Sequence, residues 1–382
     1  MPGTISRREW LVTSSLGVGA GLAMPRLLPA MSAIRDYAAL ERDATAQRFA
    51  AGPVRLNFNE NPFGMSPRAK AGLMAAWDEH NKYEPPALPE LRSTFARQVG
   101  VDPACVLVTQ GSSEVLDIAA LAYGMHGGEI VTAWPTFEGL PVYAQSIGAT
   151  VHKVALDDAL GHDFDAMDQR ITNAVDLVFV CNPNNPTGTL SDSKRARDFV
   201  TSASRRAVVL VDEAYHDFVD APGYRSMIDL VTSGGNVIVS RTASKIHALA
   251  GLRIGFAVAR PDIIDRLKRH TTGTPNSFGM RAAIASLNDG EYQTFVKSRN
   301  KESRDMLTAA LVGMGKRVAP SQTNFVFFHA GVPVEAVQKT MRARNFIVGR
   351  AFPPYTDWCR VSIGTPDEMK AFVSALPEAL RA

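Results

Sequence analysis

Short runs of apolar and β-branched residues recur along the middle of the chain. Each run is too short for a helix, and most are apolar without alternation, which is typical of strands buried on both faces of a parallel sheet. Stretches with helical periodicity separate them, as at residues 114–123 and 193–204. The runs occupy residues 105–108, 129–133, 176–181, 207–211 and 236–240. This alternation predicts an α/β fold with a three-layer, doubly wound and mostly parallel sheet covered by helices.

The pattern changes towards the C-terminus. A long helical region at 290–314 is followed by a strand at 324–328, a helix at 334–344 and a strand at 358–363. This order predicts a smaller α+β domain after the parallel sheet. The predicted regions are a leader at 1–33, an N-terminal arm at 34–75, a large domain at 76–280 and a small domain at 281–382.

The first 33 residues have the three-part pattern of an export signal. The paired Arg7 and Arg8 precede an apolar run at residues 12–23, and small residues end the segment. Paired arginines are typical of the twin-arginine type, so the export machinery is an expected partner and a periplasmic or otherwise exported location is predicted. Glycines and hydroxyl residues dilute the run, so no stable membrane insertion is expected. A frayed amphipathic N-terminus with two chance arginines is the alternative.

Composition narrows the possible partners. The 382 residues include 41 basic and 38 acidic side chains, which gives a formal charge of +3. Three arginines and one glutamate lie in the first 33 residues, so the rest carries 38 basic against 37 acidic side chains. A nearly neutral body gives no electrostatic reason to expect a nucleic acid as partner. Three scattered cysteines and eight histidines without ligand spacing predict no disulfide framework and no metal site.

Residues that can carry chemistry follow each of the five predicted strands. Ligands bind beyond the carboxyl ends of strands in an open α/β sheet, so these residues are expected to converge. Gly111, Ser112 and Ser113 follow the first strand at the start of a helix, where hydroxyls and amides can hold an anion. The same residues are also an ordinary helix-capping sequence. Phe137 follows the second strand and could stack on a flat ring or join the core.

The third and fourth strand ends carry an amide, a carboxylate and a phenol. Asn185 lies in a turn with two Asn-Pro steps, residues 182–188, which can fix the orientation of its amide. Asp212 ends a buried run and is followed by Tyr215. An aspartate at the end of a buried run needs a cationic partner, because an unpaired buried carboxylate is costly.

Lys245, just beyond the fifth predicted strand, is a candidate amine nucleophile. Ser244 and Arg253 flank it and suggest a phosphate site. The five strand ends therefore supply an amine, a carboxylate, a phenol, an amide, an aromatic ring and a phosphate-binding turn. Pyridoxal phosphate needs this set, because it requires a lysine that bonds it and an acid that keeps its pyridine nitrogen protonated.

In their order along the chain, these motifs resemble those of the fold-type-I pyridoxal-phosphate aminotransferases (class I/II), most closely the histidinol-phosphate aminotransferase group. The resemblance runs from about Arg55 to the C-terminus. It includes the N-terminal segment 55–64, the segment 81–85 and the small-domain segments 320–325 and 358–365. It implies that the large domain binds pyridoxal phosphate and that the chain is a transaminase.

The resemblance also implies a role for each site residue. Lys245, Asp212 and Tyr215 would be catalytic. Lys245 would bond the cofactor and move the proton of the substrate α-carbon, while Asp212 would pair with the pyridine nitrogen. Asn185 and Tyr215 would bond the ring oxygen, and Phe137 would stack on the ring. The other cofactor-binding residues would be Ser112, Ser113, Thr242, Ser244, Arg253 and, across a homodimer interface, Tyr83 of the other subunit.

By the same resemblance, Arg360 would clamp the substrate α-carboxylate in the fork geometry of a guanidinium. Asn59, Asn324 and Arg350 complete the implied substrate-binding set. The amino donor would be an amino acid or a related amine of histidinol-phosphate-like or aromatic type. The acceptor would be a 2-oxo acid such as 2-oxoglutarate.

Two departures from the family pattern bear on the substrate. Ile347-Val348 is followed by Gly349 and then Arg350, whereas an arginine usually follows that pair directly. Phe137 stands where a tyrosine is commoner, so one hydroxyl is missing above the ring. An exported enzyme would also not meet histidinol phosphate, which is a cytoplasmic intermediate. We therefore expect a different amino acid or amine as the donor.

Three other functions fit parts of the pattern. A decarboxylase, lyase or cyclase could share the fold, because fold does not determine which bond is broken. A periplasmic solute-binding protein would have a similar length and an export signal, but no use for Lys245 beside Asp212. A dinucleotide enzyme is disfavoured, because no Gly-x-Gly-x-x-Gly follows the first strand.

Overall fold

The fold is described from a computed structural model of the chain, and the structure describes residues 37–83 and 86–381. The predicted export signal at 1–33 and the Glu84-Pro85 step lie outside the described residues. Residues Ala38–Ala382 form one compact unit. The predicted boundaries between arm, large domain and small domain stay a prediction.

A seven-stranded sheet forms the centre of the fold, in the order β2-β8-β7-β6-β5-β3-β4. Neighbouring strands run parallel except at β8, which is antiparallel to both of its neighbours. The strands are β2 (Val106–Thr109), β3 (Glu129–Trp134), β4 (Thr150–Ala155), β5 (Val175–Cys181), β6 (Val208–Asp212), β7 (Val237–Thr242) and β8 (Gly255–Val258). The five predicted strands and the mostly parallel α/β sheet are confirmed.

The sequence prediction missed β4 and β8. Strand β4 forms an edge of the sheet, and most of its side chains are at least partly exposed, so its sequence mixes polar and apolar residues. Strand β8 has only four residues and begins with Gly255, which gives little strand signal.

Both faces of the sheet are buried. Neighbouring residues on one strand point to opposite sides of the sheet, and here both sides pack into apolar clusters. On β6, Val209 joins one apolar cluster and Leu210 joins the other. On β7, Val239 and Ile238 divide in the same way. Apolar residues on both faces explain why these strands are uninterrupted hydrophobic runs in the sequence.

Helices cover the sheet and continue into the C-terminal part. The first seven are α1 (Tyr37–Ala50), α2 (Pro67–Ala75), α3 (Ala87–Val99), α4 (Ser112–Gly124), α5 (Gly139–Ser146), α6 (Phe164–Gln169) and α7 (Ser193–Ala203). The next six are α8 (Ile228–Thr232), α9 (Pro261–Lys268), α10 (Ser277–Leu287), α11 (Gly290–Gly313), α12 (Val334–Ala343) and α13 (Pro366–Ala379). Within residues 37–83 and 86–381, no helix has the length and apolar character needed to cross a bilayer.

Two small sheets accompany the last helices. Strand β9 (Phe325–His329) pairs antiparallel with β11 (Trp358–Ser362). Strand β1 (Val54–Leu56), from the predicted N-terminal arm, pairs parallel with β10 (Phe346–Val348). The arm is therefore hydrogen-bonded to the C-terminal part of the chain, about 290 residues away in sequence.

Candidate active site

A cavity of about 240 Å³ lies where the carboxyl ends of the parallel strands meet. The strand ends are aligned, because Asp212 pairs with Cys181 on one side and with Ser240 on the other. Twelve of the predicted site residues line the cavity: Asn59, Ser112, Ser113, Phe137, Asn185, Asp212, Tyr215, Thr242, Ser244, Lys245, Arg253 and Arg360. Phe58, Ala214 and Ala250 also line it and were not predicted. A larger cavity of about 520 Å³ shares Thr242 with it, but no lysine lines that cavity.

Lys245 lines this cavity, and its amine is fixed by two backbone carbonyl groups. Its Nζ donates hydrogen bonds to the carbonyl oxygens of Asn59, at 3.1 Å, and Phe58, at 3.4 Å. Burial, together with the nearby Arg360 cation, lowers the pKa of Lys245 to about 8. An appreciable fraction of the side chain is therefore a neutral amine near neutral pH, which is the form that acts as nucleophile or base.

Asp212 ends strand β6 and is only 3% exposed. Burial raises the pKa of Asp212 to about 6, and the Lys245 cation acts in the opposite direction. Its Oδ1 has no hydrogen-bond partner within residues 37–83 and 86–381. A buried carboxylate oxygen without a donor is costly, so a bound group that supplies one would be stabilised here. The protonated pyridine nitrogen of pyridoxal phosphate is such a donor.

The phosphate end of the cavity is formed where α4 begins. Gly111 precedes the helix with φ of 83°, and within the described residues no side chain caps the helix at this position. A Cβ at Gly111 would lie 2.2 Å from Nη2 of Arg253, and a Cβ at Gly255 would lie 2.3 Å from the amide of Ser112. Nη1 of Arg253 donates to Oγ of Ser244 at 3.4 Å. Helix amides, hydroxyls and a guanidinium meet here, and this donor set fits a phosphate dianion.

Tyr215 presents its hydroxyl to the same space. The hydroxyl accepts hydrogen bonds from Nδ2 of Asn59, at 3.0 Å, and Nδ2 of Asn185, at 3.4 Å. Burial raises the pKa of Tyr215, and the Arg360 cation opposes that shift. The phenol therefore stays protonated and can donate to an oxygen of a bound ring.

Arg360, on strand β11, closes the cavity from the C-terminal part of the chain. Nη1 donates to Oδ1 of Asn185 at 2.6 Å, and Nη2 donates to the carbonyl of Asn57 at 2.8 Å. Burial lowers the pKa of Arg360 to about 10, so it remains a cation at neutral pH. Its Nε is buried and has no partner in the described part of the chain. A fixed guanidinium with an open donor is suited to binding a carboxylate.

Three predicted site residues do not line the cavity. Nδ2 of Asn324 donates to the carbonyl of Asn59 at 3.0 Å, so Asn324 supports Asn59. Arg350 forms an ion pair with Glu138. Tyr83 is 97% exposed in the single chain. Their assigned contacts with substrate or cofactor stay predictions.

Sequence reasoning also missed residues that hold the site together. Oγ1 of Thr136 donates to Oδ1 of Asn184 at 2.9 Å, which ties the segment after β3 to the turn after β5. Oγ of Ser362 accepts a hydrogen bond from the backbone N–H of Asn59 at 2.8 Å and donates one to the side-chain Oδ1 of Asn59 at 2.9 Å. Asn184 could have been chosen from its place in the Asn-Pro turn. Ser362 carries no such signal, because its partner lies about 300 residues earlier in the chain.

The fold agrees with comparisons to known proteins. The family model for aminotransferase class I and II matches residues 51–376. A histidinol-phosphate aminotransferase from Cupriavidus pinatubonensis is 36% identical over 336 residues, covering 87% of this chain and 89% of the relative. An aromatic amino acid aminotransferase from Cutibacterium acnes is 34% identical over 329 residues, covering 86% of this chain and 93% of the relative.

A solved structure shows the same fold. The histidinol-phosphate aminotransferase from Sinorhizobium meliloti, in complex with pyridoxal-5'-phosphate, superposes with a TM-score of 0.81 at 24% identity, covering 92% of this chain and 99% of that one. The unpartnered oxygen of Asp212 and the phosphate-binding turn fit the same cofactor. The chain therefore belongs to the family of class I and II aminotransferases and is a pyridoxal-phosphate-dependent transaminase.

Proposed function

We propose that this transaminase takes its amino group from an α-amino acid whose carboxylate is bound by Arg360, and passes it to a 2-oxo acid. The observation that carries this proposal is the buried guanidinium of Arg360 with an open Nε donor in the same cavity as Lys245. A substrate carboxylate on Arg360 would orient the α-carbon towards the amine of Lys245. The donor is of the aromatic amino acid type, in line with the name of the Cutibacterium acnes relative.

The residues divide the chemistry among them. Bound pyridoxal phosphate supplies an electron sink for the negative charge that develops at the substrate α-carbon. Asp212 would hold the proton of the pyridine nitrogen through its open oxygen. Lys245 would hold the cofactor through its amine and, when free, would accept the proton of the α-carbon, for which its lowered pKa is suited. Tyr215 and Asn185 would bind the ring oxygen and keep the ring in one orientation.

A visible absorption spectrum of the purified protein tests this proposal, alone and with a panel of L-amino acids and histidinol phosphate. We expect a yellow protein whose long-wavelength band bleaches with some donors and returns when a 2-oxo acid is added. Lys245→Ala should lose that band and lower the rate of amino transfer by about 10⁴-fold. Release of carbon dioxide or ammonia without consumption of a 2-oxo acid would contradict the proposal.

We also propose that the enzyme is a homodimer in which Tyr83 reaches the cofactor phosphate of the other subunit. Tyr83 is almost fully exposed in the single chain, which leaves its hydroxyl available. Tyr83→Phe removes only that hydroxyl and should weaken pyridoxal phosphate binding by about tenfold. Sedimentation first establishes the dimer, and unchanged cofactor affinity in a proven dimer would refute the crossing.

Export by the twin-arginine route is proposed from the pattern around Arg7 and Arg8. Replacing both arginines with lysine keeps the charge and removes the motif. The variant should stay in the cytoplasmic fraction while the wild type is recovered from the periplasm. Equal distribution of the two proteins would exclude this route.

A further inference from the structure

An ion pair between Glu138 and Arg350 lies beside residues that line the cavity. Glu138 follows Phe137, whose ring lines the cavity, and begins the turn into α5. Its Oε2 accepts a hydrogen bond from Nη2 of Arg350, which lies just after β10. The Glu138 side chain is 31% exposed and that of Arg350 is 54% exposed. The pair is thus partly accessible to solvent.

Arg350 and Arg360 share one aromatic neighbour. The guanidinium carbon of Arg350 lies 4.3 Å from the ring centroid of Phe352, and that of Arg360 lies 4.8 Å from the same centroid. Phe352 is buried, and both guanidinium groups lie against its ring. Because Arg360 lines the cavity, the Glu138–Arg350 pair lies next to the place where the substrate carboxylate is bound under the proposed function.

We propose that Glu138 is a specificity-determining residue that neutralises Arg350 and so makes the site prefer substrates with uncharged side chains. This inference rests on the proposed function. A carboxylate or phosphate on the substrate side chain would have to compete with Glu138 for Arg350. If it displaced Glu138, the carboxylate of Glu138 would be left unpaired next to the substrate anion. An uncharged side chain, aromatic or aliphatic, leaves the pair intact and can pack against Phe58 at the cavity wall.

The preference applies to both halves of the reaction. Amino donor and 2-oxo acid acceptor occupy the same cavity in turn, so the same ion pair faces both. An amino acid with a second carboxylate and the matching oxo diacid are therefore both disfavoured. A 2-oxo acid with an uncharged side chain is the better acceptor.

The test compares ligands that differ in charge but hardly in shape. Glutarate and its monoamide, glutaramate, are unreactive acids whose dissociation constants with the holoenzyme can be measured by calorimetry. L-glutamate and L-glutamine give the corresponding kcat/KM values for amino transfer. The wild type should favour the amide in the binding pair and in the reactive pair.

Glu138→Gln keeps the shape of the side chain and frees Arg350. We expect the affinity for glutarate to improve about fivefold relative to that for glutaramate, because a partly exposed ion pair contributes a free energy of that size. Arg350→Gln leaves Glu138 unpaired and should shift the ratio in the opposite direction. The matched control is Glu378→Gln. It breaks the exposed ion pair between Glu378, on α13, and Arg344, and should leave the glutarate-to-glutaramate ratio unchanged.

Failure of this inference differs from failure of the proposed function. Unchanged glutarate-to-glutaramate ratios in both Glu138→Gln and Arg350→Gln would overturn the role of Glu138, whatever the turnover. Loss of carboxylate binding altogether, in the wild type, would overturn the proposed carboxylate site at Arg360 and this inference with it. Opposite shifts in the two variants, with an unchanged control, support the inference even if the preferred donor is another amino acid.

Discussion

The two sides of the cavity that we propose bind the cofactor and the substrate, called here the cofactor side and the substrate side, are built in different ways. On the cofactor side, Asp212 ends strand β6, and Lys245 lies three residues beyond the end of the adjacent strand β7. On the substrate side, Arg360 is held by Asn57 and Asn185, from segments that lie about 300 and 175 residues away in sequence. Strand pairing thus positions Asp212, whereas long-range hydrogen bonds position Arg360, the group that we propose binds the substrate carboxylate.

This difference predicts different mutational behaviour on the two sides. Changes on the cofactor side should affect the rate of chemistry and the stability of the apoenzyme. Changes on the substrate side should affect mainly the affinity for carboxylates. The following three experiments test that division, from the largest expected effect to the smallest.

Asp212→Asn should lower kcat by about 10³-fold, because the amide cannot stabilise a protonated ring nitrogen as a carboxylate does. The same variant should stabilise the apoenzyme near neutral pH. The folded pKa of Asp212 is raised to about 6 from an ordinary 3.8, so its favourable contribution is complete below pH 3.8 and is lost as pH rises through 6. The free energy of unfolding should therefore differ by roughly 2 kcal/mol between those limits in the wild type, and much less in the variant.

Denaturant unfolding of the two apoenzymes at pH 4 and pH 7 measures this difference. Asn300→Asp, which places a carboxyl at another buried position outside the cavity lining, is a control for a general effect of buried acids. A wild-type apoenzyme with the same pH dependence as Asp212→Asn would refute the raised pKa of Asp212.

Arg360→Lys should raise KM for amino acids by about 10- to 100-fold with a smaller change in kcat. A lysine keeps the charge but cannot offer paired donors to a carboxylate. An amine substrate without an α-carboxylate, such as histidinol phosphate, should be nearly unaffected. Equal losses for both kinds of substrate would mean that Arg360 acts on the cofactor side.

The smallest effect concerns pH and links the two sides. Uptake of pyridoxal phosphate by the apoenzyme needs the neutral amine of Lys245, so its rate should rise with pH and level off above about 8. Arg360→Gln removes a cation that lowers this pKa and should move the plateau to higher pH. The rate of absorbance change after mixing measures both, and an unshifted plateau would exclude electrostatic coupling between Arg360 and Lys245.

The same division explains what the sequence could predict. Residues at or just beyond strand ends, such as Asp212 and Lys245, can be predicted from the sequence because they follow a buried apolar run. The parallel sheet then brings the ends of those runs to the same edge. The roles of Asn57, Ser362 and Glu138 could not be found in this way, since each depends on a partner far away in the sequence. The predicted substrate residue Arg350 illustrates the limit, because its ion pair with Glu138 emerges only from the folded chain.

The two close glycine contacts at the phosphate end have an evolutionary consequence. A side chain at Gly111 would overlap Arg253, and a side chain at Gly255 would overlap the first amide of α4. Substitutions at these two positions are therefore disfavoured as long as the cofactor is used. Glu138 and Arg350 have partly exposed side chains and can be exchanged without moving the backbone. Descendants of this chain are therefore free to change their substrates while inheriting the same chemistry.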